Sequence, residues 1–212
     1  MDNRFLSAAL GVAMLGTPVH ADPNSVSANF AVMRNGSQIG TNRIKVGREG
    51  SETTIQTVTH VAVGFGTLTL YRYDQTETEQ WADGRFVAMN ATTDDNGSEH
   101  RASANARDGK IIIHGDNDKV SEAPPTAVPF NLWNADLVAR ELAFDTKDGS
   151  MQPLKVIDRG EERLVVQGQV RATHHYQIVT GYTQDVWYDE NRQLVQVELK
   201  GSDGSTIRYQ LM

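Results

Sequence analysis

Residues 172–190 read ATHHYQIVTGYTQDVWYDE, and this stretch contains the pattern that decides the fold. Thr180-Gly181 lies between two runs rich in Val, Ile, Thr, Tyr and Trp, and a turn signal in that position is typical of a β-hairpin. The same stretch holds two adjacent histidines, three tyrosines and two aspartates. The hairpin therefore raises a question of function as well as of fold.

The same alternation of turn signals and β-favouring runs continues along the chain. The turn signals are Asn35-Gly36, Glu49-Gly50, Asp83-Gly84, Asn96-Gly97, Asp108-Gly109, Asp148-Gly149, Gly181 and Asp203-Gly204. They predict a mainly β protein, an antiparallel meander of about eleven strands. A sheet of that width is expected to close into a barrel or to curl into a strongly curved half-barrel.

One segment, residues 123–144, interrupts this pattern. Its three prolines are incompatible with central strands and indicate a loop. Apolar residues then recur at helical spacing, as in Leu132, Ala135, Ala139 and Leu142. The spacing predicts one short helix around residues 131–142, which would plug or flank the sheet. Trp133-Asn134 is interpreted as core residue and helix cap.

The N-terminal residues resemble an export signal. Residues 5–16 form an apolar run too short to span a membrane, and Val19-His20-Ala21 follows it with the small residues of a cleavage site. We therefore expect a signal peptide over residues 1–21, cleavage after Ala21, and a single antiparallel β domain over residues 22–212. This predicts a periplasmic protein.

Composition narrows the range of partners. The chain has no cysteine, a net charge of −7 and a pI near 5.3. An exported protein without cysteines has no disulfide framework, so its hydrophobic core must stabilise it. The acidic balance argues against a nucleic-acid partner, and no later apolar run is long enough to span a membrane.

Register determines which side chains of the hairpin face the interior. Residues 164–178, read as one long strand, place His174 and Tyr176 on the buried face and His175 outside. A two-residue loop at Thr180-Gly181 pairs Tyr176 with Asp185 and His174 with Trp187. Cross-strand partners share a face, so all four side chains would face the interior. A three-residue loop would instead pair Tyr176 with Val186. The preference for short hairpin loops favours the first alternative.

The same reasoning applies to two other hairpins. A three-residue loop over residues 82–84 pairs Trp81 with Arg85, and a four-residue loop over residues 94–97 follows. The inner surface then includes Tyr71, Tyr73, Glu77, Glu79 and Trp81. A loop at Ser202-Asp203-Gly204 pairs Leu199 with Ile207 and Val197 with Tyr209.

These assignments define two overlapping candidate sites. The predicted ligand-binding residues are Tyr71, Tyr73, Trp81, His174, Tyr176, Asp185 and Trp187, an aromatic lining with a few polar groups. The catalytic candidates are His174, Asp185, Glu77 and Glu79. Two glutamates two positions apart would repel each other if both were ionised, so one could stay protonated and act as an acid. The alternative is that all these residues are exposed or only satisfy one another.

Metal and cofactor chemistry are not predicted. Neighbours on a strand face opposite sides, so His174-His175 is a poor metal signature. His60, His100 and His114 could in principle converge with Glu77, but single histidines on separate strands are more often structural. The chain has no G-x-S-x-G, H-E-x-x-H or glycine-rich phosphate motif.

Four short blocks carry a family resemblance. They are E-x-W-x-D-G (Glu79–Gly84), V-P-F-N-L-W-N (Val128–Asn134), D-V-W-Y-D (Asp185–Asp189) and D-G-S-T-I-R-Y (Asp203–Tyr209). In these blocks the chain resembles bacterial families of secreted, single-domain β proteins classed as domains of unknown function. The resemblance implies a periplasmic, barrel-like antiparallel fold similar in shape to envelope lipid-carrier proteins, and it implies no catalytic residue.

Three functions are compatible with these observations. The leading hypothesis is a periplasmic binding or carrier protein for an amphipathic or apolar small molecule. The second is an acid–base enzyme of the isomerase, lyase or hydrolase type with its site inside the barrel. The third is a structural envelope protein with no internal ligand.

Overall fold

The computed structural model describes residues 25–65 and 68–212, so the predicted signal peptide lies outside the described residues. The strands are β1 (Ser25–Arg34), β2 (Ser37–Glu49), β3 (Glu52–Phe65), β4 (Leu68–Ala82), β5 (Arg85–Asp95), β6 (Ser98–Arg107), β7 (Lys110–His114), β8 (Val120–Ala123), β9 (Val128–Pro129), β10 (Leu142–Phe144), β11 (Met151–Pro153), β12 (Lys155–Val166), β13 (Gln169–Val179), β14 (Thr183–Asp189), β15 (Leu194–Lys200) and β16 (Thr206–Leu211). Short 3-10 helices span Asp116–Asp118 and Ala135–Ala139. No helix within these ranges is long and apolar enough to cross a membrane.

Thirteen of the strands form one antiparallel sheet in the order β12-β13-β14-β15-β16-β1-β2-β3-β4-β5-β6-β7-β8. The first and last described strands, β1 and β16, pair in the middle of the sheet. The edge strands β12 and β8 do not pair with each other in the described part of the chain, so the sheet curls without closing. This confirms the predicted half-barrel.

The connecting turns are tighter than predicted at two places. Ala82 pairs with Arg85 and Asp95 pairs with Ser98, so both hairpins have two-residue turns instead of the predicted three and four. In both turns the residue before glycine, Asp83 or Asn96, has a positive φ. Aspartate and asparagine tolerate that conformation, and the twist of such turns matches that of the strands.

Residues 124–154 cross the concave face of the sheet and fill part of it. They form a three-stranded sheet in the order β11-β10-β9 and the 3-10 helix Ala135–Ala139. The Asn134 side chain caps that helix, because its Oδ1 accepts from the Asp136 N–H at 2.9 Å. The predicted helix over residues 131–142 is therefore too long. Leu142 instead begins β10, whose pairing with β9 and β11 outweighs the helical periodicity.

The hydrophobic core lies between the sheet and this inner segment. Phe144 and Leu137 of the segment are almost fully buried, as are Ile111 and Ile113 of β7. The Phe144 ring meets Phe86 edge to face with centroids 5.7 Å apart. The segment is thus a structural part of the core that also limits the space left inside the curl.

Candidate functional site

The hairpin of residues 172–190 has the register that the sequence disfavoured. Val179 pairs with Thr183, so the loop has three residues, Thr180 to Tyr182. Tyr176 pairs with Val186, and His175 pairs with Trp187. The predicted pairs Tyr176–Asp185 and His174–Trp187 are therefore wrong.

The long strand predicted over residues 164–178 is also wrong. It divides into β12 and β13 at a two-residue turn, where Gln167 and Gly168 both have positive φ. Glutamine is not a usual turn residue, so the residue types here do not indicate a turn. Across the turn the two faces exchange, so Leu164 and Val166 lie on the face opposite to that of His174 and Tyr176.

The four side chains predicted to face inward, those of His174, Tyr176, Asp185 and Trp187, are divided between the two faces of the sheet. His174 and Tyr176 share a face, with stacked rings 4.5 Å apart, and His174 Nε2 lies 2.6 Å from Asp158 Oδ1. They lie near the sheet edge, on the same face as the buried Ile178.

Asp185 and Trp187 lie on the opposite face with His175. The His175 ring stacks on Trp187 at 4.4 Å, and its Nε2 is 2.8 Å from Asp185 Oδ1. The Trp187 indole donates to Glu162. His175, expected in solvent, has only 18% of its side chain exposed. His174 and Asp185, two of the catalytic candidates, therefore lie on opposite faces of the sheet.

The upstream predictions agree better with the structure. Glu77, Glu79 and Trp81 are buried on the inner face of β4, and Tyr73 lies on the same face. Tyr71 is at the rim, 37% exposed, and its hydroxyl donates to Asp95 Oδ1 at 2.9 Å. The predicted pairs Leu199–Ile207 and Val197–Tyr209 are confirmed.

The histidines considered for a metal site are separated. His60 is paired with Asp74, His100 is paired with Asp116, and His114 is exposed. Glu77 lies instead in the buried interior. Residues 25–65 and 68–212 contain no group of three or more metal-ligating side chains.

Glu79 is held by two tryptophans. The Trp81 indole donates to Glu79 Oε2 at 2.6 Å, and the Trp133 indole donates to Oε1 at 3.0 Å. Burial raises the pKa of Glu79, and the two indole donors oppose that rise by stabilising the charged form. Trp133 thus fastens the inner segment to β4.

Glu77 has a different environment. Asn131 donates to Glu77 Oε2 at 3.1 Å and to Thr57 Oγ1 at 3.3 Å. The other carboxyl oxygen, Glu77 Oε1, is buried and receives no hydrogen bond from an N–H or hydroxyl group of the described residues. Burial, followed by the charge of Glu79 and a hydrogen bond between the Glu77 and Glu79 carboxyl groups, raises the pKa of Glu77 well above its usual range. These effects favour the protonated, uncharged form of Glu77.

Glu77 lines a cavity of about 360 Å³ on the concave face of the sheet. Its polar lining is Asn42, Thr57, Thr59, Tyr73, Gln75, Glu77, Asn131, Asp145, Thr146, Lys147, Tyr182, Gln184 and Tyr209. Its apolar lining is Ile44, Phe130, Leu132, Leu194, Val197 and Leu199. Tyr182 is half-exposed, so the cavity opens beside the β13–β14 loop.

A second unsatisfied polar atom faces the same cavity. Gln184 is 3% exposed and Glu77 is 2% exposed, and Gln184 Nε2 has no hydrogen-bond partner among the described residues. Their strands, β14 and β4, are separated in the sheet by β15, β16, β1, β2 and β3. Both side chains nevertheless line the same cavity. Gln184 was not among the predicted site residues because the predicted hairpin register was wrong; the three-residue loop places it on the inner face.

Glu77 is expected to make wild type less stable as pH rises, and Glu77→Gln should lack this effect. The folded state holds a proton on Glu77 that the unfolded chain releases above its ordinary pKa of 4.5, so the free energy of unfolding falls between that pH and the folded-state pKa. The pKa values of Asp74 and Asp116 are lowered in the folded state, so the stability that these two residues contribute is lost as pH falls below the usual pKa of an aspartate. Urea unfolding between roughly pH 5 and pH 8 should show the variant gaining stability relative to wild type with rising pH.

The control for this measurement is Glu99→Gln, because the Glu99 side chain is 80% exposed. Its stability relative to wild type should be the same at every pH. A difference between Glu77→Gln and wild type that does not change with pH would contradict the assignment of a raised pKa to Glu77.

The curled antiparallel sheet and its inner segment define the chain as a β-barrel-like protein with an internal cavity. Over residues 30–212 it matches the family described as a domain of unknown function, DUF6134, and it belongs to that family. This confirms the predicted kind of family.

Among solved structures, the chain is similar to the crystal structure of a β-barrel-like protein of the domain of unknown function DUF1849 from Brucella abortus. The two are 12% identical, with a TM-score of 0.63 over 88% of this chain and 95% of that one. At this identity the similarity concerns the fold alone. The search of curated proteins found no match.

Proposed function

We propose that the protein is exported to the periplasm and there binds or carries a small amphipathic or apolar molecule in the cavity of its half-barrel. The export step rests on the signal-like residues 1–21. The binding step rests on the cavity.

The observation that carries this proposal is the pair of unsatisfied polar atoms, Glu77 Oε1 and Gln184 Nε2. Buried polar groups are almost always hydrogen-bonded, because an unpaired one costs about 1–3 kcal/mol. Two such atoms in the lining of one cavity are explained if a bound molecule supplies both partners.

The size and lining of the cavity support the same function. Its volume of about 360 Å³ lies within the range of small-molecule sites. Leu194, Val197 and Leu199 of β15 form an apolar wall beside the polar one. A molecule with an apolar body and one polar group would match both parts.

Filling the cavity is expected to abolish binding. Leu199 lines the cavity, so Leu199→Trp places an indole in the space that a ligand needs. The fluorescent probe N-phenylnaphthylamine should bind wild type saturably, with an affinity at least about ten-fold higher than for this variant. Fluorescence titration measures both affinities, and urea unfolding checks that the variant is folded.

The matched control is Val165→Trp, which adds the same indole at a residue that is 72% exposed. This control should bind the probe like wild type. Equal binding by all three proteins would show that the probe attaches to the surface, and absence of saturable binding to wild type would likewise contradict the proposal.

A further inference from the structure

We infer that the polar group of the ligand is uncharged and oxygen-bearing, such as a hydroxyl, and that it bridges Gln184 Nε2 and Glu77 Oε1. This inference rests on the proposed function and names the chemical class that the cavity selects. It follows from the hydrogen-bonding capacity of the two side chains and from the charges around them.

Hydrogen-bonding capacity sets the first requirement. Gln184 Nε2 can only donate, so the ligand must offer an acceptor. Glu77 Oε1 is one oxygen of a carboxyl group, which accepts and, when protonated, also donates. A hydroxyl satisfies both side chains, because its oxygen accepts from Gln184 and it can either accept from or donate to Glu77 Oε1, according to which carboxyl oxygen carries the proton. An ammonium group has no acceptor and would leave Gln184 unsatisfied.

The charges around the cavity set the second requirement. Among its described lining residues the acids are Glu77 and Asp145, and the one base is Lys147. Lys147 Nζ is already 3.3 Å from Asp95 Oδ2, so it is committed to an ion pair outside this lining. Glu79, close to Glu77, adds a further carboxyl group. A ligand carboxylate would enter a buried, acid-lined space with no free cation to pair with it, which is costly.

The state of Glu77 agrees with an uncharged partner. Burial and the neighbouring Glu79 carboxyl raise the pKa of Glu77, which favours its uncharged form. A neutral carboxyl group needs a hydrogen-bond partner and no counter-ion. Glutamine has nearly the same shape and is also neutral, so it should replace Glu77 without loss of binding.

The test compares three ligands with the same apolar chain: octanol, octanoate and octylammonium. Isothermal titration at neutral pH should show that wild type binds octanol at least about ten-fold more tightly than either ion. Glu77→Gln should keep octanol binding within about three-fold of wild type, whereas Glu77→Leu and Gln184→Leu should each lose about ten-fold or more. Gln80→Leu, an exposed position on β4, is the matched control and should bind like wild type.

The outcomes separate this inference from the proposed function. Tightest binding of octanoate or octylammonium, or a loss in Glu77→Gln as large as in Glu77→Leu, would overturn the inference and leave the carrier function intact. Binding of N-phenylnaphthylamine with no binding of octanol would also overturn the inference and leave the carrier function intact. Failure of all these molecules to bind would overturn both.

Discussion

Phe144→Ala is expected to lower the free energy of unfolding by about 3–5 kcal/mol, the usual cost of removing a fully buried phenylalanine. Phe144 has no exposed surface and packs edge to face on Phe86 of β5, so the inner segment cannot collapse onto the space without losing its contact with the sheet. Urea unfolding measures the change.

Val165→Ala serves as the control for that variant. Val165 is an exposed residue at the edge strand β12, and its truncation should change stability by less than about 0.5 kcal/mol. A cost for Phe144→Ala as small as that of Val165→Ala would mean that residues 124–154 do not form part of the core.

Glu79→Leu is expected to cost about 2–4 kcal/mol, because it leaves the Trp81 and Trp133 indole N–H groups without their acceptor while preserving most of the side-chain volume. Gln80→Leu on the same strand faces solvent and should be close to neutral.

A double-mutant cycle with Trp81→Phe isolates the hydrogen bond from general packing. If Trp81 donates to Glu79, the two substitutions together should cost less than the sum of their separate costs, by about 0.5–3 kcal/mol. Simple additivity of the two, or a neutral Glu79→Leu, would show that the buried glutamate does not fasten the inner segment through the tryptophans.

The fold was largely predictable because its turns are chemically distinctive. Asn-Gly and Asp-Gly pairs mark the hairpins at Asn35-Gly36, Asp83-Gly84, Asn96-Gly97 and Asp108-Gly109, and all are turns with positive φ in the structure. The turn at Gln167-Gly168 was missed because glutamine rarely adopts that conformation. The length of the helix was overestimated. Pairing of β10 with β9 and β11 outweighs the helical periodicity, and periodicity does not reveal such pairing.

The site was only partly predictable, since register depends on loop length. On β4 the alternation of Tyr73, Glu77 and Trp81 is independent of the turn, and these residues lie on the inner face as predicted. On β14 one additional loop residue, Tyr182, moved Asp185 and Trp187 to the outer face and brought Gln184 inside. Asn131 and Trp133 reach Glu77 and Glu79 from the inner segment, and no local pattern indicates such long-range contacts.

The most direct test of the account is a high-resolution crystal structure of the protein purified from its own cells without refolding. We expect density for a bound organic molecule in the cavity, with a polar atom within hydrogen-bonding distance of both Glu77 Oε1 and Gln184 Nε2. A cavity occupied only by ordered water molecules that satisfy both side chains would contradict the central claim that this half-barrel is built to hold a ligand.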